Sequence, residues 1–431
     1  MSLKPNVTKD LCRLATVKRL LDLTSPHWTF IAERPVYLAL SGGKDSVVLL
    51  DALMQQWPTN AAYPLTLLHV NHHLQVHSSS WAEHCVALGK RYGLTCVVLD
   101  VAVSVNGNVE ANAREARYTA LFSKMSDDGV LLLGQHANDQ VETLFLNLKR
   151  GAGSQGLSGM AVWQTQCNRF GAHPDMIMYR PLLGIAQEQI DSYAQHALQT
   201  TDWVEDPSNQ DTEYDRNFLR HEILPALSQR WPHWINNVVR SMQVLTQEQA
   251  LLLDATNEKL ATCLRGDELS LSVLAQLSTQ WQAQVMRLFA QRYADVVLSQ
   301  RQLRSLEQVL SAKSDAQGQL SLVNQHGHKV HFFRYHAHLY CVWQTSLDHA
   351  RAMYSELVNR QNPADANMTY QAVPLSYKVK PCDARHHKPI KQWYQAWSVP
   401  PWLRQFTLVL QHNSHDELLW CNGVEYILSK D

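Results

Sequence analysis

Four short apolar runs, each followed by a helical stretch, constrain the fold of this 431-residue chain most strongly. The runs are Val36–Leu40, Leu65–Val70, Thr95–Val101 and Gly129–Gly134. Short apolar runs bounded by turn residues are typical of buried strands. Because helical stretches separate them, the strands pair in parallel through right-handed βαβ units, and helices cover both sheet faces. The sequence predicts an α/β domain with a parallel, Rossmann-like sheet over residues 1–220.

The pattern changes after Gly151. Residues 151–160 are rich in Gly and Ser and predict a loop. From 216 to about 310 the chain is long and nearly free of Gly, which predicts a mainly helical middle domain, assigned to 221–345 and ending in strands over His326–Trp343. Residues 359–367 predict a linker, and residues 350–431 a small mixed α/β C-terminal domain.

Composition excludes several classes of protein. Hydrophobic residues make up 45% and charged residues 18%, which excludes a disordered or fibrous chain. No stretch approaches the ~18 apolar residues of a membrane-spanning helix, and the N-terminus lacks a signal-peptide core, so we expect a cytoplasmic protein without a membrane partner. The net charge is -1, so any nucleic-acid footprint must be local. No two of the eight cysteines lie within three residues of each other, which excludes CxxC metal and redox motifs.

The segment Ser41–Ser46 (SGGKDS) lies between the first predicted strand and its helix. Adjacent glycines expose backbone N–H groups, and the helix N-terminus directs its own N–H groups and dipole at the same point. With the hydroxyls of Ser41 and Ser46, this predicts a cradle for phosphate. It is not a Walker loop, because Lys44 is followed by Asp45. A carboxylate in an anion cradle is repulsive unless a cation lies between them, so Asp45 is a predicted Mg²⁺ ligand.

This loop resembles the PP-loop of the N-type ATP pyrophosphatases, which cleave ATP between the α- and β-phosphates. Eight further segments extend the resemblance to the long tRNA(Ile)-lysidine synthetases: 69–73 (HVNHH), 113–118 (AREARY), 134–143 (GQHANDQVET), 149–151 (KRG), 180–183 (RPLL), 205–209 (EDPSN), 214–220 (YDRNFLR) and 399–404 (VPPWLR). One departure is Gln75, where that family often carries Arg.

The resemblance implies an adenine nucleotide alpha hydrolase-like fold and a two-step reaction. The C2 carbonyl oxygen of cytidine 34 in a CAU anticodon of tRNA(Ile) is adenylated by ATP, and free lysine then replaces AMP at C2. ATP and Mg²⁺ are the implied co-substrate and cofactor. Two alternatives stay open: another PP-loop adenylating tRNA-modification enzyme such as a thiolase, and a non-catalytic RNA-binding protein on an ATP fold. The sequence leaves the oligomeric state open and admits a homodimer.

Asp139 and Glu142 are the candidate ligands of the lysine ammonium. They are three residues apart on a predicted helix and so share one face, with His136 one turn earlier. The alternative is a solvated helix edge. Arg114 is a further candidate for catalysis and for lysine, although it also suits an ordinary charged surface. The candidate catalytic residues are Asp45, Arg114, Asp139 and Glu142, and the candidate lysine site is Arg114, His136, Asp139 and Glu142.

The remaining candidates contact ATP and tRNA. The predicted ATP site comprises Ser41, Gly42, Gly43, Lys44, Asp45, Ser46 and His69. His69, His72 and His73 resemble a metal cluster, but packing and nucleotide contacts are favoured because no fourth soft ligand lies nearby.

The predicted tRNA contacts are Arg150, Arg216, Asn217, Arg220, Lys388, Lys391 and Arg404. Arg216 and Arg220 equally suit ion pairs with Asp211, Glu213 or Asp215. Residues 378–404 carry six basic residues interleaved with aromatic ones against the single acid Asp383, which suits structured RNA. The alternative is a Trp-rich core with a solvated rim.

Overall fold

A computed structural model describes residues 21, 26–57, 61–73, 75, 77–104, 109–165, 171–199, 202–311, 318–324, 326–359, 368–374, 376–382, 384–397, 399–412, 415–421 and 424–428. They divide into two compact units, Met1–Leu251 and Leu252–Asp431. Within these described ranges, no helix is both long and apolar enough to cross a bilayer.

The first unit is built on a six-stranded sheet in the order β3-β2-β1-β4-β6-β5. Its strands are β1 Val36–Ala39, β2 Thr66–Asn71, β3 Cys96–Asp100, β4 Val130–Leu132, β5 Trp163–Gln164 and β6 Ile177–Tyr179. All pair in parallel except β5, which is antiparallel to β6. This sheet confirms the predicted α/β fold.

Nine α-helices of the described residues lie wholly within this unit: α1 Pro26–Ile31, α2 Lys44–Met54, α3 Ser78–Tyr92, α4 Val109–Lys124, α5 Ala137–Lys149, α6 Ser154–Leu157, α7 Gln187–Ala197, α8 Asp215–Phe218 and α9 Leu224–Arg230. A π-helical turn, Leu219–Ile223, joins α8 to α9. The prediction of a loop over 151–160 was wrong at α6, a helix of one turn.

Apolar side chains cover both faces of this sheet. Leu67 and Leu132 belong to the core beneath α2, α3 and α7, whereas their neighbours Leu68 and Leu131 belong to the core beneath α4. Successive strand residues point to opposite faces, so a strand buried on both sides reads as a continuous apolar run. For this reason the strands of the parallel sheet could be predicted from the sequence.

Strand order reverses between β1 and β4, which are neighbours although β2 and β3 lie between them in the chain. Open α/β sheets bind ligands where the order reverses, outside the carboxyl ends of the strands. Here the loops after β1 and β4 touch: a Cβ on Gly134 would come within 3.2 Å of Ser46 Cα. The fold therefore brings the SGGKDS loop against the GQHANDQ segment.

The second unit contains a five-stranded antiparallel sheet, in the order β7-β8-β11-β10-β9, packed on helices. Its elements are β7 Leu264–Arg265, β8 Glu268–Ser270, α11 Leu271–Leu274, α12 Thr279–Ala294, α13 Gln300–Ser311, β9 Gln319–Val323, β10 Lys329–Tyr335 and β11 His338–Trp343; the long helix α10 Trp234–Cys263 leads into it from the first unit. The β7–β8 hairpin interrupts the stretch from 216 to about 310 that was predicted to be mainly helical, and its turn holds Gly266 at φ 61°. The left-handed backbone favours glycine there.

A four-stranded antiparallel sheet, in the order β12-β15-β16-β17, completes this unit. Its elements are α14 Gln344–Asn359, β12 Met368–Ala372, β13 Lys378–Val379, β14 Lys388–Pro389, α15 Ile390–Ala396, β15 Thr407–His412, β16 His415–Cys421 and β17 Val424–Ile427. Trp402 stacks on Phe333 of β10, with ring centroids 4.4 Å apart. Of the predicted linker, Asn359 ends α14, and residues 360–367 lie outside the described residues.

Candidate active site

A cleft of about 540 Å³ opens at the carboxyl end of the parallel sheet. Its walls include four groups of predicted residues: the loop through Ser41, Gly43, Asp45 and Ser46, the histidine His69, the helix residue Asp139, and the arginines Arg114 and Arg216. These positions span 175 residues of sequence, so the fold assembles them in one place. Gln75, the departure from the family pattern, also lines the cleft and is exposed, so a neutral amide stands at that position.

Gly42 makes the sharp turn of the loop, with φ +86°. A Cβ there would meet Cys85 Sγ and Val204 Cγ2, each at 3.1 Å. Gly42 also accepts a hydrogen bond through its carbonyl from Val204 N–H at 2.9 Å. The left-handed backbone and the tight packing both require glycine at this position.

The N-terminus of α2 faces the cleft without a side-chain cap from the described residues. Ser46 instead donates from Oγ to the carbonyl of Gly43 at 2.9 Å and lies 3.1 Å from Ser41 Oγ. Gly43 N–H donates to Ser41 Oγ at 3.2 Å. Uncapped N–H groups at a helix start bind anions, so the loop has the geometry of a phosphate cradle.

Asp45 lies at this N-terminus with a side chain that is 38% exposed. Burial alone would raise the pKa of its carboxyl. Hydrogen bonding and charge from His136, with a hydrogen bond from Gln187, outweigh burial and hold the pKa below its ordinary value. Asp45 is therefore an anion beside an anion cradle, an arrangement that suits a bridging cation.

His136 links Asp45 to Asp139. Its Nε2 lies 3.6 Å from Asp45 Oδ2 and 3.4 Å from Asp139 Oδ2. The ring is only 2% exposed, and burial would lower its pKa, but the two carboxylates together raise it. Asp139 also accepts from His136 N–H at 3.0 Å, which caps α5.

The carboxylates of Asp45 and Asp139, which both lie close to His136 Nε2, fit a magnesium ion. Mg²⁺ binds proteins through one or two carboxylates and takes its other ligands from water and phosphate. Nowhere in the described ranges do three or more His, Cys, Asp or Glu side chains form a complete metal site. The carboxylates present thus fit Mg²⁺, which takes its remaining ligands from water or phosphate.

Glu142 lies behind Asp139 and has no exposed surface. It accepts from Arg216 Nε at 2.8 Å and from Arg220 Nε and Nη2 at 2.8 Å and 3.0 Å. The sequence predicted Glu142 for lysine and both arginines for tRNA, but the structure pairs them with one another. The alternative of a solvated helix edge does not describe Glu142, which is buried. The alternative of ion pairs with Asp211, Glu213 or Asp215 does not describe Arg216 and Arg220, which bind Glu142.

His69 is buried and sits at the end of β2. Its Nδ1 lies 2.8 Å from the carbonyl of Leu40, where it donates as N–H, which leaves Nε2 as an acceptor. Burial lowers the pKa of His69 and keeps the ring neutral. Arg114 lies on α4 with its guanidinium 5.1 Å from the ring centre of Tyr118. This cation–π contact holds it at the cleft wall.

Sequence reasoning missed Gln187 and Asp191 of α7, which contact charged side chains of the loop. Gln187 donates to Asp45, and Asp191 Oδ1 lies 2.6 Å from Lys44 Nζ. Lys44, predicted for ATP, is therefore paired with α7. No local motif marks α7, which lies more than 140 residues after the loop in the chain.

Of the seven predicted tRNA contacts, three are exposed, and Asn217 and Arg404 join Arg216 and Arg220 in making internal hydrogen bonds. Arg150, Lys388 and Lys391 are exposed, and Lys388 Nζ lies 5.3 Å from the ring centre of Trp393. Asn217 donates to the carbonyls of Ser208 and Asp211 at 2.9 Å and 2.8 Å, so it braces that loop. Arg404 donates to the carbonyl of Val399 at 2.9 Å and to the hydroxyl of Tyr335 at 3.4 Å.

Comparisons with known proteins agree with this site. Residues 14–227 match the family model described as a PP-loop domain, the class that the sheet and the loop define. Residues 269–340 match the TilS substrate binding domain, and residues 369–426 match the TilS substrate C-terminal domain.

The tRNA(Ile)-lysidine synthase of Idiomarina loihiensis is 34% identical over 94% of this chain and 91% of that protein. The tRNA(Ile)-lysidine synthase of Haemophilus influenzae is 36% identical over 85% of this chain and 90% of that protein. The solved U34-tRNA thiolase NcsA of Methanococcus maripaludis matches at 16% identity and a TM-score of 0.43, covering 56% of this chain and 79% of that one. Because these sequence relatives are 34% and 36% identical over most of their length, this chain belongs to the tRNA(Ile)-lysidine synthase family.

Proposed function

We propose that this enzyme ligates free lysine to C2 of cytidine 34 in the CAU anticodon of tRNA(Ile), with ATP converted to AMP and pyrophosphate. The observation that supports this most directly is the cleft in which the phosphate loop faces Asp139 and the arginines Arg114 and Arg216. Phosphate, ammonium and carboxylate groups each find a partner of opposite charge or a donor there.

In the first step the C2 oxygen of cytidine attacks the α-phosphate, and pyrophosphate leaves. The loop N–H groups and the hydroxyls of Ser41 and Ser46 bind the leaving phosphates. Asp45 would hold Mg²⁺, which neutralises charge on the phosphates when bound. Neutral His69 offers Nε2 as an acceptor for the nucleotide.

In the second step the ε-amine of lysine attacks C2, and AMP leaves. Asp139 is the proposed ammonium partner because it lines the cleft, whereas Glu142 has no exposed surface and both its oxygens bind arginines. Asp139 Oδ1 also accepts from Arg220 Nη2, at 3.3 Å. Arg114 is the proposed partner of the lysine carboxylate. Glu142 then acts indirectly, since it holds Arg216 at the cleft wall.

Exposed basic groups are the proposed tRNA contacts, namely Arg150, Lys388 and Lys391. They suit phosphate binding, which positions an RNA without reading its sequence. We assign residues 1–220 to catalysis, and 221–345 and 350–431 to tRNA binding.

The test is a transcript assay with labelled lysine, ATP and tRNA(Ile) or tRNA(Met), both carrying CAU. We expect lysine incorporation and pyrophosphate release with tRNA(Ile) alone. Pyrophosphate release that needs a sulfur donor instead of lysine would point to a thiolase. Binding of tRNA without any release of pyrophosphate would point to a non-catalytic protein.

A further inference from the structure

We propose that Gln187 and Asp191, one turn apart on α7, are positioning residues for the nucleotide. Gln187 sets the carboxylate of Asp45, and Asp191 sets the ammonium of Lys44. This rests on the proposed function only in taking ATP as the nucleotide.

The contacts form a short chain. Gln187 donates from Nε2 to Asp45 Oδ1 at 3.3 Å and to Asp191 Oδ1 at 3.1 Å. The same Asp191 oxygen lies 2.6 Å from Lys44 Nζ. Lys44 and Asp45 are the first two residues of α2, so one face of α7 engages both charged side chains of the loop.

The chemistry of the amide makes this arrangement specific. An amide NH₂ has two hydrogens, and here each faces a carboxylate. The flipped amide would direct its oxygen at two anions, so only one orientation of Gln187 is favourable. Asp45 is thereby held through Oδ1, and Oδ2 remains for the cation and His136.

The frame that carries these side chains is rigid. Tyr193 of α7 donates to Asp51 Oδ2 of α2 at 2.6 Å, and Tyr92 of α3 donates to Oδ1 at 2.7 Å. Asp51 and Tyr193 are buried, whereas Lys44 and Asp191 are 35% and 39% exposed. Exposed ion pairs contribute little to stability, so stability alone does not account for this pair, and we assign it the orientation of Lys44.

The first experiment measures equilibrium binding of α,β-methylene-ATP by calorimetry, with Mg²⁺ and with EDTA. We expect Gln187→Ala to raise the Kd by about 10-fold with Mg²⁺, as for loss of an outer-shell partner of a metal ligand. Asp191→Asn should also raise the Kd, because Lys44 loses the partner that orients it. In EDTA the effect of Gln187→Ala should vanish, because it acts through Asp45 and the cation. The effect of Asp191→Asn should persist, because it acts through Lys44.

Combining substitutions at Lys44 and Asp191 distinguishes a positioning role of Asp191 from a packing role. In a Lys44→Ala background, Asp191→Asn should add nothing, and Asp191→Glu in the native background should restore most of the affinity. Gln195→Ala, an exposed residue of the same helix, is the matched control and should bind as the native protein does. This assay contains neither tRNA nor lysine, so failure of the lysidine reaction would leave it interpretable.

Three outcomes overturn the proposal. Tighter nucleotide binding by Asp191→Asn would mean that Asp191 competes with phosphate for Lys44. A Gln187→Ala effect of equal size in EDTA would mean that Gln187 acts only through packing. Additive effects of Lys44→Ala and Asp191→Asn would mean that the two residues act independently.

Discussion

Arg220 grips the buried carboxylate of Glu142 with two hydrogen bonds, from Nε to Oε1 at 2.8 Å and from Nη2 to Oε2 at 3.0 Å. Arg216 binds the same carboxylate at 2.8 Å. Burial opposes the charge on Arg220, but Glu142 outweighs it and raises the pKa of the guanidinium. The helical segment Asp215–Ile223 is therefore attached to α5, the helix that carries Asp139.

Glu142→Gln should lower the free energy of unfolding by about 2–4 kcal/mol. The substitution removes the negative charge and leaves the charges of Arg216 and Arg220 without their carboxylate partner. Both arginines are partly exposed, which reduces the cost. Chemical denaturation measures this, with Asp215→Asn as the control: its pair with Lys149 is exposed, so its loss should cost at most about 1 kcal/mol. Equal effects of the two variants would contradict a structural role for Glu142.

Asp45→Asn should abolish pyrophosphate release and leave tRNA affinity within a few fold. A carboxylate at an anion cradle acts through a cation, and an amide binds Mg²⁺ weakly. Release of labelled pyrophosphate and filter binding of tRNA measure the two effects. Near-native release by the variant would show that Asp45 is not a metal ligand.

Asp139→Asn should raise the KM for lysine by roughly 10-fold or more, and the KM for ATP by less. A hydrogen bond to a charged group contributes about 1.5–3 kcal/mol. Asparagine keeps an oxygen that can accept from His136 N–H, so the helix cap survives. Initial rates at varied lysine and ATP measure both constants, and equal increases would assign Asp139 to the metal–nucleotide complex instead.

Asp202 should make stability depend on acid pH. Burial raises the pKa of its carboxyl, but hydrogen bonds from Gln199 N–H at 2.8 Å and Arg91 at 2.7 Å outweigh burial and hold the pKa below its ordinary value. A carboxyl whose pKa is lowered on folding stabilises the protein above its unfolded pKa, and this is lost as the pH falls through the folded value.

The advantage of the native protein over Asp202→Asn in unfolding free energy should therefore shrink between about pH 5 and pH 2. Urea denaturation across that range measures it. The exposed Asp127→Asn is the control and should show a difference that changes much less with pH. A constant difference for Asp202→Asn would refute the ion-pair contribution.

Lys388→Ala/Lys391→Ala should flatten the log–log salt dependence of tRNA binding by roughly one to two units, since each phosphate contact releases counterions. Both side chains are exposed in the second unit. Filter binding over a salt series measures the slope. Lys90→Ala/Lys124→Ala, an equal charge change in the first unit, should leave it unchanged, and an equal flattening would indicate bulk charge alone.

For the basic and aromatic segment, residues 378–404, composition favoured either RNA binding or a Trp-rich core. The structure shows which of its side chains are buried and which are exposed. Tyr394 is buried, Trp393 stacks on Trp397, and Lys388 and Lys391 lie exposed. Arg404 contacts Val399 and Tyr335 inside the unit. Composition cannot separate an exposed arginine from one that packs on a tyrosine.

The sequence by itself determined the parallel sheet and the phosphate loop, because both depend on short-range rules. A strand buried on two faces is apolar along its length, and a glycine pair before a helix exposes N–H groups whatever surrounds it. Only the tertiary structure decided which charges meet. Glu142 pairs with arginines 74 and 78 residues away, and Gln187 reaches Asp45 across 142 residues. Coulomb attraction and hydrogen bonding act over a few ångströms of space, and chain folding alone sets that distance.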